Sequence, residues 1–178
     1  METEPEQEKS YELLDGAAGE VDATIRDVEA QRRIAADNKQ SLAIRLEAYE
    51  DIIDSQVGDT SMVRARNIER EMGIRQIFLK FEGGNPTGTQ KDRIAFAQAM
   101  DAIRRNFDTV VIATCGNYGV ATAMACSLCG LRSMIFIPDN YHTRRISEME
   151  SLGAGIVRIP GDYEAAVAVL ISELRYRG

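Results

Sequence analysis

Thr109-Val110-Val111-Ile112-Ala113-Thr114-Cys115-Gly116-Asn117-Tyr118-Gly119 opens with a short, wholly apolar and β-branched run and closes on a glycine turn. The apolar run reads as a strand buried on both faces, the kind found in parallel sheets. After the turn, residues 118–129 carry enough small and apolar side chains to form a helix packed against that strand. A strand covered on both sides requires helices on both sides, so this stretch alone argues for an α/β domain.

The same alternation extends in both directions. Downstream, Ser133-Met134-Ile135-Phe136-Ile137 is another buried strand, stopped by Pro138. Thr143 is placed to cap a helix bearing Ile146, Met149 and Leu152. Gly155-Ile156-Val157-Arg158-Ile159 is a third strand, and Asp162 caps a last helix with Tyr163, Ala166, Val167, Leu170 and Leu174 inward. Upstream, Ile77-Phe78-Leu79-Lys80-Phe81 reads as a strand. It is followed by a polar loop, Glu82 to Gln90, and a helix with Phe96, Met100, Ile103 and Phe107 on one face. The expected fold class is a three-layer α/β/α arrangement on a parallel sheet with right-handed crossovers. Farther upstream, Leu42, Leu46, Tyr49 and Ile53 recur at helical spacing within residues 40–54, and Val21, Ile25 and Val28 form a thinner stripe within 20–36. Residues 1–19 are acidic and are expected to fray.

Composition narrows the function. The 178 residues are 44% hydrophobic and 28% charged, with a formal net charge of -7. An acidic chain whose basic pairs are only Arg32-Arg33, Arg104-Arg105 and Arg144-Arg145 has no surface suited to nucleic acid, and those pairs read as solvated helix faces. No apolar run is long enough to cross a bilayer, and Met1 to Lys9, with four glutamates, is not a signal peptide. With only three cysteines, a reduced, cytoplasmic setting is expected. Cys126 and Cys129 have CxxC spacing but fall inside a helix without a second ligand pair, so they read as buried small residues rather than a metal site. Cys115 sits at a helix start, where thiolates are stabilised, yet no histidine is near and a packing role is favoured. His142, the one histidine, reads as a solvated loop residue.

Two loops lie outside the carboxyl ends of strands, where α/β sheets bind ligands. The first is Glu82-Gly83-Gly84-Asn85-Pro86-Thr87-Gly88-Thr89-Gln90-Lys91-Asp92-Arg93. It places Lys91 at the first turn of a helix, where the dipole disfavours a charged amine and favours the neutral one that carbonyl chemistry needs. Taken alone, a lysine at a helix start is more often a solvated surface charge. Asp92 and Arg93 are expected to pair with each other or with neighbouring backbone and so fix the lysine helix. The second loop is Thr114 to Gly119. Its glycines allow close approach of a ligand, its helix-start N–H groups suit a carboxylate or phosphate, and Asn117 can donate or accept. Alone, this loop could equally be a tight strand-to-helix turn in which Asn117 tolerates a left-handed conformation.

Together the loops carry a resemblance. Asn85-Pro86-Thr87-Gly88-Thr89-Gln90-Lys91-Asp92-Arg93 resembles the Asn-Pro-Thr-Gly-Ser-Phe-Lys-Asp-Arg motif of threonine synthases, members of the fold-type-II (tryptophan-synthase-like) pyridoxal-phosphate (PLP) enzymes. Thr114 to Gly119 is similar to that family's Ser-Ser-Gly-Asn-Thr-Gly loop, and Gly58 to Val63 with Ala65-Arg66-Asn67 is similar to its Gly-Thr-Pro-Leu segment. Gly153-Ala154 and Gly161-Asp162-Tyr163 add two further matches. The resemblance runs from about residue 46 to the end. It implies that Lys91 holds PLP and shuttles protons, and that Asn117 bonds the cofactor's 3′-hydroxyl. Thr114, Cys115, Gly116, Asn117 and Tyr118 would hold the carboxylate of an amino-acid substrate.

The implied reaction is conversion of O-phosphohomoserine and water to threonine and phosphate. Gln90 before the lysine, Cys115 and Tyr118 in the carboxylate loop, and Ser61 in place of proline depart from the pattern. They leave cysteate synthesis, cysteine synthesis and serine or threonine deamination open on the same scaffold. The implied domain plan is an acidic extension over 1–40, the first limb of the large domain with the lysine loop over 41–94, and the small α/β domain over 95–178. The family's phosphate-cradling glycine loop is not found before Gly178. The expectation is therefore an incomplete chain, with exposed apolar surface met by a homo-oligomer or by a partner chain that supplies the missing half. A non-catalytic relative acting as an interaction domain is the competing reading. A generic dinucleotide-binding domain is weaker, because no G-x-G-x-x-G follows the first strand.

Overall fold

The computed structural model describes residues 17–114, 116–141 and 144–176. Two long helices come first, α1 (Ala17–Ala36) and α2 (Leu42–Gln56). The Ser41 hydroxyl caps α2 by accepting from the Ile44 N–H. β1 (Met62–Arg64), the short α3 (Arg66–Met72) and β2 (Phe78–Lys80) follow, then a 3-10 turn at Glu82–Gly84 and α4 (Lys91–Arg104). The remainder alternates strictly: β3 (Thr109–Ala113), α5 (Asn117–Leu128), β4 (Arg132–Pro138), α6 (Arg145–Ser151), β5 (Gly155–Ile159) and α7 (Tyr163–Tyr176).

β3, β4 and β5 form one parallel sheet with β4 at its centre. Period-two alternation sends Val110 and Ile112 to one face and Val111 and Ala113 to the other. The first face, with Ile135 and Ile137, packs against α4 and α5. The second, with Phe136 and Ile159, packs on Ala166 and Leu170 of α7. The three layers and the parallel sheet are those expected from the sequence.

α1 and α2 join the first of these cores. The Tyr49 ring stacks on Phe96 at 6.1 Å between centroids, and its hydroxyl donates to the Ala125 carbonyl at 3.1 Å. Burial pushes the Tyr49 phenol well above its ordinary range. Arg45 donates to the carbonyls of Ala35 and Cys129 and so ties α1 and α2 to the end of α5.

Several expectations need correction. Ile77–Phe81 does not extend the parallel sheet. β2 pairs antiparallel with β1 in a separate two-stranded sheet, Val63 opposite Leu79. Each strand has only three residues, and all six side chains are exposed. On α2 the buried residues are Ala48, Tyr49 and Ile52, while Leu42, in the first turn before the stacked Tyr49–Phe96 pair, stays exposed. Phe107 leaves the face of α4 because the helix ends in a Schellman turn. Asn106 takes a left-handed φ of 58°, and the Phe107 N–H returns to the Ala102 carbonyl. Tyr163, at the start of α7, is exposed. α1 begins at Ala17, ahead of the expected start, and residues 1–16 lie outside the described ones, as do His142 and the expected cap Thr143. Asp162 does cap α7, accepting from the Ala165 N–H at 2.9 Å.

The expected exposed apolar surface is present. Met62, Val63, Phe78 and Leu79 on the two-stranded sheet, with Met72, Ile74 and Phe81 in the adjoining segments, are all about half exposed or more.

Candidate active site

The lysine loop is held shut from its two ends. Asp92, wholly buried in the first turn of α4, accepts from the Thr87 N–H at 2.9 Å and from the Thr87 hydroxyl at 2.7 Å. Between them the chain makes a tight turn, with the Gly88 N–H on the Asn85 carbonyl and the Thr89 hydroxyl accepting from the Lys91 N–H. Lys91 is thereby presented at the helix start with an exposed side chain. Among the described residues its amine has no hydrogen-bond or ion-pair partner.

A second network anchors the other end. The Arg93 guanidinium grips both oxygens of Glu82, at 2.8 and 3.0 Å, and also donates to the Gly58 carbonyl and the Thr60 hydroxyl. Asn85, almost fully buried, accepts from the Gly58 N–H and donates to Glu82. The Arg93 bonds, with those from Thr60 and Asn85, hold the Glu82 carboxyl down at about 2. Gly58 is required here: its φ is +101°, and a Cβ would lie 2.9 Å from Arg93 Nη1. Asp92 and Arg93 therefore do not pair with each other. Asp92 closes the loop onto Thr87, and Arg93 ties it to the segment before β1.

The second loop leaves β3 with Thr114, nearly buried, its N–H on the Phe136 carbonyl of β4. Cys115 lies outside the described residues. Gly116 precedes α5, and the nearest group to a Cβ built there is the Tyr141 hydroxyl at 4.0 Å, so the cradle above the helix start is open. Gly119 is the reverse case. A Cβ there would meet Met149 Cε at 2.6 Å and Thr114 Cγ2 at 3.0 Å, so the absent side chain is what lets α5 and α6 close behind the loop. Tyr118 turns its hydroxyl to donate to Gln98 on α4, which leaves its backbone as its contribution at the loop mouth.

Arg145, the first residue of α6, joins the two loops. One guanidinium nitrogen donates to Asn117 Oδ1 at 2.6 Å and another to the Thr87 carbonyl at 3.1 Å, with Glu148 behind them at 3.1 Å. The sequence reading of Arg144-Arg145 as a solvated face fails for Arg145, whose side chain is 26% exposed and spans both loops. Asp92 and Arg93 instead follow the other expected alternative and bind backbone, Asp92 at the Thr87 N–H and Arg93 at the Gly58 carbonyl, while their side-chain partners Thr87 and Glu82 are given by the structure. Behind Arg145 an open cleft of about 300 Å³ is lined by Pro86, Thr87, Val120, Met124, Glu148 and Leu152.

Cys126 and Cys129 are buried on α5 and at its end. Desolvation pushes both thiols up to about 12, as suits packing residues. Among the described residues no group of three or more potential ligands could hold a metal ion.

The sequence profile of the pyridoxal-phosphate dependent enzymes matches residues 53–177. The chain belongs to that family. The chain is similar to cystathionine beta-synthase of Apis mellifera, 35% identical over 109 residues that make up 58% of this chain and 22% of that protein. Cysteine synthase B of Escherichia coli (strain K12) is 32% identical over 111 residues, 60% of this chain and 36% of that one. The crystal structure of O-ureido-L-serine synthase superposes with a TM-score of 0.59 at 28% identity, covering 70% of this chain and 41% of the other. The chain thus spans well under half the length of these relatives. The family's cofactor is PLP, and the residues present suit it. Among the described residues, the exposed Lys91 amine at the start of α4 has no partner, and at Gly116 of the second loop the nearest group to a Cβ would be the Tyr141 hydroxyl, 4.0 Å away. These relatives are named for making cysteine, cystathionine or a ureido-serine, so the threonine synthase assignment is narrower than the family membership that the comparisons support.

Proposed function

We propose that this chain forms the lysine-bearing part of a PLP-dependent enzyme of the cysteine synthase type, replacing a leaving group on Cβ of an O-activated serine with a sulfur nucleophile. The observation that carries the reading is the exposed Lys91 amine, without a partner among the described residues and held at the start of α4 by the Thr87–Asp92 closure, in a chain whose relatives are named for cysteine and cystathionine synthesis. When bound, the cofactor supplies an electron sink for charge developing at the substrate Cα. Lys91 holds the cofactor and carries the Cα proton. The backbone from Thr114 to Tyr118, with the N–H groups at the start of α5, binds the substrate carboxylate, and the helix dipole favours an anion there. Asn117 holds the cofactor's 3′-oxygen. We read the exposed apolar side chains of the two-stranded sheet as the surface on which further polypeptide of the same fold packs.

Threonine synthesis from O-phosphohomoserine is the second reading, favoured by the resemblance of Asn85–Arg93 to that family's lysine motif. The test begins with an absorbance titration of the chain with PLP, beside Lys91→Ala. A visible band that the substitution abolishes, and that borohydride traps on the Lys91 peptide, supports the cofactor reading; its absence overturns it. Turnover of O-acylated serine with sulfide, at a rate that falls at least about 1,000-fold in Lys91→Ala, supports the cysteine synthase reading. Turnover of O-phosphohomoserine instead selects the second.

A further inference from the structure

Asn117 is an amide with two unlike ends, and only one of them can face a given partner. Arginine carries donors and no acceptor, so the atom 2.6 Å from Arg145 Nη1 must be the amide oxygen, however the amide is first drawn. Arg145 is itself fixed. The same guanidinium donates to the Thr87 carbonyl on the lysine loop, and Glu148 accepts from two of its nitrogens, at 3.1 and 3.2 Å. The Thr87 carbonyl is in turn held in place, because the N–H and hydroxyl of that residue are bound by buried Asp92. Rotation of the Asn117 amide would set its NH2 group against a guanidinium, donor against donor.

We propose that Arg145 is a positioning residue that locks the Asn117 amide with its oxygen turned to α6, so that Asn117 offers only its Nδ2 donors to a bound cofactor. This rests on the cofactor reading above. Its consequence is a polarity. A donor at the 3′-oxygen favours the deprotonated oxygen, whereas a freely rotating amide could accept from the protonated one. Arg145 also couples the loops, since the group that orients Asn117 holds the backbone four residues before Lys91.

The test has one readout without cofactor and one with it. In the apo chain, the Asn117 side-chain amide resonances are compared between wild type, Arg145→Met and Arg145→Lys. A shift and faster amide rotation in Arg145→Met, smaller in Arg145→Lys, is expected; unchanged resonances overturn the proposal whatever the cofactor does. In the PLP-loaded chain, Arg145→Met is expected to move absorbance from the visible toward the near-ultraviolet band and to weaken cofactor uptake about 5- to 10-fold, the scale of one hydrogen bond. Asn117→Ala combined with Arg145→Met should lose less than the sum of the two single losses, the remainder being the Thr87 contact, whereas strictly additive losses would mean that Arg145 does not act through Asn117 and would overturn it. Arg145→Lys guards against a folding defect, because it keeps the charge and one donor. A wild-type chain with no lysine-linked band would overturn the cofactor reading and, with it, this polarity at the 3′-oxygen. The apo resonances separate that failure from failure of the Arg145–Asn117 lock.

Discussion

Asp92 accepts both the N–H and the hydroxyl of Thr87, at 2.9 and 2.7 Å, with its own side chain wholly shielded from water. A buried carboxylate is costly unless hydrogen-bonded, and here both of its oxygens are used by one residue five positions earlier. The four residues between them, Gly88 to Lys91, form the turn that sets Lys91 at the start of α4.

Replacing Asp92 by Ala therefore removes two charge-assisted hydrogen bonds and leaves the Thr87 donors unmatched. We expect a loss of about 2–4 kcal/mol in denaturant unfolding. Thr87→Val, which removes only the hydroxyl bond, should cost about 1–2 kcal/mol. Lys91→Ala should leave the midpoint nearly unchanged, because its side chain is exposed. A Lys91→Ala protein as unstable as Asp92→Ala would contradict this division of labour.

The acid response should run through Glu82. Its folded-state value near 2 lies below its ordinary 4.5, mainly because Arg93 binds both of its oxygens. A lowered carboxyl contributes stability that is complete above the unfolded value and is lost as pH falls through the folded one. The window is thus from about 4.5 down to about 2. Glu82→Gln should be less stable at neutral pH and show a flatter decline across that window. Parallel curves for the two proteins would remove Glu82 from the account.

Gly119→Ala tests the close approach behind the second loop. The added methyl falls 2.6 Å from Met149 Cε and 3.0 Å from Thr114 Cγ2. Met149 is fully buried, so its terminal group has little room to give way. Overpacking of this kind costs about 1–3 kcal/mol. Trimming Met149 to Ala in the same chain should return part of that loss, and strictly additive losses would show that the crowding lies elsewhere.

The thiols of Cys126 and Cys129, raised to about 12 by burial, should resist alkylation in the folded chain at mildly alkaline pH and react only on unfolding. Peptide mass analysis after brief alkylation checks this. Rapid labelling of either residue under native conditions would mean that α5 opens far more readily than its packing implies.

Much of this was legible from sequence because it is local. The unbroken apolar run at Thr109–Ala113 announces a strand buried on two faces, and the helix α4 that follows the lysine loop can be read from the spacing of Phe96, Met100 and Ile103. Where local signals compete with tertiary contacts, the structure departs from the sequence pattern. Phe107 has the right spacing for the α4 face, but Asn106 ends the helix in a left-handed turn before the chain reaches it. Ile77–Phe81 has the apolar character of a core strand, yet its partner is β1 and its side chains face outward.

By itself the sequence determined the α/β/α layering, the lysine at a helix start and the glycine loop opposite it. Each follows from side-chain period, turn chemistry or a contiguous motif, all of which are written within about ten consecutive residues. Only the tertiary structure decided what orients those parts. Arg145 reaches Asn117 across 28 positions and Thr87 across 58, and Arg93 reaches Gly58 across 35. No periodicity encodes such pairings. They arise because packing brings the segments before β1, before α4 and at the start of α5 together, where a guanidinium with several fixed donors can satisfy acceptors from more than one of them.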